Sequence, residues 1–131
     1  MELRDVNLRL TKALPDGAAA VVSVRGIDTG SVGGGRGADW MLTAPDLGVA
    51  EIPNGNTMRY DIIMSANADL SAPVTYIAGA IVQTGAGGVG AGGSVYRFAT
   101  PSTALRYFGL RITGDGAGDA SGKSGLLEVL F

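Results

Sequence analysis

The chain has 131 residues, 46% of them apolar, a formal net charge of −2, and neither cysteine nor histidine. Its length suits one domain with one core, here residues 1–131. The missing residue types exclude disulfides, thiolate nucleophiles, Cys- or His-bound metals and every Ser-His or Cys-His arrangement, so only carboxylates, lysine and tyrosine remain for acid–base work. Basic residues stand singly, unlike the cationic face that neutralises phosphates, so no nucleic-acid partner is expected. No apolar run approaches the roughly 18 residues of a membrane span. Residues 1–12 carry charges where a secretion signal would be apolar. The expectation is a protein made in a reducing cytoplasm, with no membrane partner.

Residues 1–17 read as an extended N-terminal arm. Leu3, Val6, Leu8, Leu10 and Leu14 fit alternation about as well as a helical face, which leaves room for a short strand, and Pro15-Asp16-Gly17 closes the segment with turn chemistry. Residues 18–24 form a β-branched apolar run. Residues 30–37 (GSVGGGRG) are nearly devoid of large side chains. Residues 40–43 and 48–52 are two short apolar runs parted at Pro45-Asp46, and Asn54-Gly55 is a strong turn signal. Met58, Tyr60, Ile62 and Met64 then alternate with Arg59, Asp61 and Ser65, the pattern of a half-buried strand.

Residues 74–83 make another apolar run. Residues 85–93 (GAGGVGAGG) form a second glycine loop, of a composition expected to be mobile. Residues 95–99 are a short mixed strand. In residues 105–113, Phe108, Leu110 and Ile112 share one face. Residues 126–131 end the chain on an apolar strand. Seven or eight short strands joined by Gly, Pro, Asn and Asp turns predict an all-β fold, a jelly-roll-like antiparallel β-sandwich with long Gly-rich loops.

Two stretches imitate nucleotide motifs. Residues 85–90 match G-x-G-x-x-G, but Ala-Gly-Gly-Ser follows where a helix must open, and no acidic residue stands about 20 positions on. Residues 117–124 (AGDASGKS) resemble a P-loop without its first glycine, and only seven residues follow. Both read as loops. Asp115 and Asp119 lack the spacing of a calcium loop. No carboxylate pair is singled out for glycoside hydrolysis. The sequence therefore yields no catalytic, cofactor or metal residues, and an enzyme is not expected. All eight aromatic residues fall in expected strands, where most serve packing.

The order Arg106-Tyr107-Phe108-x-Leu110-Arg111-Ile112-Thr113, followed by Gly118-Asp119-Ala120-Ser121-x-Lys123-Ser124, resembles the last two strands and intervening turn of tailed-phage capsid cement (decoration) proteins of the Bordetella phage type. The resemblance is strongest over residues 58–131. It implies a short jelly roll on the outer capsid surface of a virion, without catalytic residues. It also implies the major capsid protein as partner and a homo-oligomer, dimer or trimer. The extended arm, the glycine loops and a few aromatics nominate Leu3, Leu8, Leu10, Arg36, Trp40, Val89 and Tyr96 as capsid or oligomer contacts. A carbohydrate-binding or host-attachment module on the same sandwich is the alternative, with Tyr76 or Tyr96 as exposed platforms.

Overall fold

The computed structural model describes residues 9–28, 39–101 and 103–130. Among the described residues nine strands form in chain order: β1 (Arg9–Ala13), β2 (Ala20–Val22), β3 (Ile27–Asp28), β4 (Asp39–Ala44), β5 (Thr57–Ser65), β6 (Val74–Thr84), β7 (Ser94–Ala99), β8 (Tyr107–Gly114) and β9 (Ser124–Leu130). They build two sheets. One runs β1-β9-β4-β7; the other runs β2-β8-β5-β6, with the two-residue β3 also on β8. Every pairing is antiparallel. The chain crosses between the sheets at every step except β2 to β3 and β5 to β6, which gives the double Greek-key order of a jelly roll, the fold the alternation pattern predicts.

The core lies between the sheets. Trp40 and Leu42 of β4, Tyr60 and Ile62 of β5, Phe108, Leu110 and Ile112 of β8, and Leu127 of β9 are completely buried in one cluster. The inward phase expected for β5 and β8 is the observed one. Burying side chains of this size stabilises the sandwich by roughly 1.5–3 kcal/mol each. Trp40 stacks between Phe98 and Phe108, at centroid distances of 5.7 and 4.9 Å, and its indole N–H donates to Thr100 Oγ1 at 2.6 Å.

The structure departs from the sequence reading in four places. Residues 9–17 belong to the sandwich: β1 pairs with β9 from Arg9↔Glu128 to Ala13↔Ser124, and Leu14 is in the core. The expected arm is therefore sheet from Arg9 onward, and residues 1–8 lie outside the described residues. Residues 48–52 are a turn, in which Gly48 C=O accepts from the N–H groups of Glu51 and Ile52. Ile52, 1% exposed, plugs one end of the core from this loop, while Val49 is 47% exposed.

The outward face of β5 is also buried, for Asp61, Ile63 and Ser65 are at most 2% exposed. A half-buried strand was expected. The β5–β6 connection, residues 66–73, docks through Ser65 Oγ–H to Ser71 C=O at 2.6 Å, with Leu70 buried beside Gly26 and Gly109.

The fourth departure is the loop of residues 85–93. Gly85 N–H donates to Asn56 C=O, Gly55 N–H donates to Gly85 C=O, and Leu47 and Ala91 exchange both main-chain hydrogen bonds. Gly90 has φ +79°, and a Cβ there would overlap the Leu47 carbonyl oxygen. This glycine serves close backbone approach rather than mobility. Residues 30–37, the other glycine loop, lie outside the described residues.

Candidate functional site

The nominated contact residues do not converge. Leu3, Leu8 and Arg36 lie outside the described residues. Trp40 is 0% exposed, so it is a core residue and not a contact. Its burial follows from the phase of β4, where Trp40, Leu42 and Ala44 face inward. Leu10 and Tyr96 are half-buried and pack against the core from the two outermost strands of one sheet. Val89 is 79% exposed at the tip of the β6–β7 loop. Tyr76 is half-buried too, its ring 5.9 Å from Phe98 and 6.3 Å from Phe108. Neither tyrosine forms an open platform.

The imitation nucleotide motifs resolve into turns at one end of the sandwich. Residues 115–123 connect β8 to β9 with no helix after them. Lys123, at the lysine position of the P-loop-like stretch, donates to Asp46 C=O at 2.6 Å and pairs with Glu51 at 3.3 Å. That lysine ties two loops together. The carboxylate of Asp119 accepts from the N–H and the hydroxyl of Ser121, and that of Asp115 accepts from the N–H and hydroxyl of Thr57. These hydrogen bonds hold both carboxyls below the usual range. Among the described residues no group of three or more carboxylates gathers for a metal.

The charged network of greatest burial surrounds Asp61. Opposite β5, strand β6 carries extra residues, and the register shifts between Tyr60 and Ile62 and again between Ile62 and Ile63. Gly79 takes φ +65° in this irregular stretch, and its N–H, released from regular pairing, donates to Asp61 Oδ1 at 2.7 Å. Arg59 donates to Oδ1 at 2.9 Å, and Arg111 donates to Oδ2 at 3.1 Å. Burial pushes the Asp61 carboxyl up, but these three donors outweigh it and hold it below the usual range. Both carboxylate oxygens accept hydrogen bonds from within the sheet, so this constellation ties β5, β6 and β8 together.

An open region remains on the flank where β1 and β2 end their sheets. A groove of about 460 Å³ lies between them, and Lys12 and Arg25 are its charged residues. The sequence reading overlooked this pair. The available signal was Lys12 itself, a cation in the apolar phase of Leu10-x-Lys12.

No protein-family model matches the chain, and no curated protein matches it.

Proposed function

We propose that the chain is a structural virion protein, a cement protein that binds the outer surface of a tailed-phage capsid and stabilises contacts between major capsid protein subunits. The observation that carries this reading is the agreement between likeness and fold. The R-Y-F-x-L-R-I-T and G-D-A-S-x-K-S segments resemble the end of a short jelly roll, and here they form β8, the β8–β9 turn and the start of β9 in a double Greek key. A virion built in the host bacterial cytoplasm would use such a chain without disulfides. The reading includes self-association, as dimer or trimer, at capsid symmetry positions.

The test is addition of the purified chain to capsids that lack it. Stoichiometric co-sedimentation and a higher temperature of DNA release support the reading. Capsids that do not bind the chain, or that release DNA at the same temperature with and without it, overturn the reading.

A further inference from the structure

Among the described residues β1 and β2 each have one neighbour within their sheets and one open edge. The direction of their main-chain groups follows from the pairing. Leu14 N–H donates to Lys123 C=O, so along β1 the odd residues Thr11 and Ala13 turn their N–H and C=O groups away from β9. Ser23 N–H donates to Leu110 C=O, and Gly114 N–H donates to Ala19 C=O, so the main-chain groups of Val22 and Val24 likewise turn away from β8. Between these edges lies the groove of about 460 Å³, lined by Thr11, Lys12 and Ala13 on one wall and Ser23, Val24 and Arg25 on the other.

Its charge is one-sided. Among the described residues no Asp or Glu lines it, and neither Lys12 nor Arg25 takes part in an ion pair. The whole chain is net negative, so the positive groove is a local feature. Val24, 78% exposed, adds an apolar contact beside the cations.

We propose that this groove receives an extended acidic segment of a partner protein, which adds to β1 as a further strand. Main-chain hydrogen bonds to Thr11 and Ala13 supply affinity without regard to sequence, and alternate side chains supply selectivity. Carboxylates at every second position meet Lys12 and Arg25; the intervening residues face outward. A second copy of this chain is the wrong occupant. Antiparallel pairing of two β1 edges through Thr11 and Ala13 brings the Lys12 cations of the two copies together on one face, and like charges opposite one another are unfavourable.

The probe is a fluorescein-labelled octapeptide of alternating Asp and Val, titrated with the full chain at low ionic strength and read by anisotropy. The expected result is saturable binding that the Lys12→Glu/Arg25→Glu double variant weakens about tenfold or more. Methylating alternate main-chain nitrogens of the peptide weakens binding to the unaltered chain as much, and this arm stands even if the double variant misfolds. A peptide with Lys in place of Asp does not bind. Absence of saturable binding overturns the proposal. So does equal affinity for the methylated peptide, which reduces the contact to charge alone, or an unaffected double variant. No capsid enters the assay, so the proposal stands or falls separately from the virion reading.

Discussion

The two flanks of the sandwich solve the same problem differently. At one flank β6 and β7 end their sheets; at the other β1 and β2 do. The β6–β7 flank is closed by side chains. Tyr76 of β6 meets Phe98 of β7, and Gln83 of β6 donates to Pro45 C=O and Gly92 C=O at 2.7 and 3.0 Å while accepting from Tyr60 Oη–H. The connecting loop of residues 85–93 is fastened to the β4–β5 loop. Among the described residues the β1–β2 flank lacks such a bridge: its strands are short, and cations line the gap. Sheet edges invite pairing with other chains, and proteins manage them by covering them or by charging them. One flank is covered and the other is charged.

If the aromatic contacts close the β6–β7 flank, Phe98→Ala carries the largest cost. Phe98 touches Trp40, Tyr76 and Tyr96, but it is only half-buried. A loss of about 3 kcal/mol is expected, at the lower end for a phenylalanine truncation, measured by denaturant unfolding. A cost under about 1 kcal/mol would mean that the flank is held by its hydrogen bonds instead. Gly90→Ala tests those. It needs both a left-handed residue and space already filled by the Leu47 carbonyl, so a loss of about 2 kcal/mol is expected, with faster amide exchange at Leu47 and Ala91. Unchanged stability and exchange would restore the mobile loop that its composition suggests.

Acid should separate the flanks further. The lowered Asp61 carboxyl binds a proton less readily in the fold than in the unfolded chain. Its contribution is therefore fully present above the unfolded value of about 3.9 and is lost as the pH falls through the lower folded value. Because Asp61 holds Gly79 of β6, amide protection in β6 is expected to fall below about pH 4, ahead of protection in β9. Asp61→Asn should remove that difference. Equal loss of protection in both strands would show that the carboxylate does not act locally.

Much of this arrangement was legible in the residues, and what escaped did so for physical reasons. Period-2 alternation identified β5 and β8 and their inward faces, because one face of each strand meets the opposite sheet. Asn54-Gly55 announced its turn, and Gly55 has φ +81°. The burial of Asp61, Ile63 and Ser65 was not visible, since a folded-back loop covers them and local pattern carries no word of distant cover. Trp40 looked like a contact by residue type, yet β4 pairs on both edges and turns it into the core. Glycine content misled at residues 85–93, because glycine serves flexibility and close packing alike. The open flank escaped because strand order alone decides which strands lie at an edge, and strand order is not written in periodicity.

The smallest expected effect on stability is also the sharpest test of the charged flank. Lys12 occupies an inward-phase position of β1, opposite Gly125 of β9. An inward-pointing charge on an edge strand disfavours extension of the sheet by another copy, since the incoming strand would enclose it. Lys12→Val introduces a β-branched residue suited to a strand and matches the phase of Leu10. It should therefore change unfolding stability by no more than about 0.5 kcal/mol. Its effect should appear in association instead, because the barrier between like edges is gone while the main-chain groups of Thr11 and Ala13 stay available. Light scattering across a concentration series is expected to show species larger than those of the unaltered chain, and Lys12→Arg is expected to match the unaltered chain. If Lys12→Val associates no more than the unaltered chain, the short length of β1 already protects the edge. The cation at position 12 would then serve only to attract a partner.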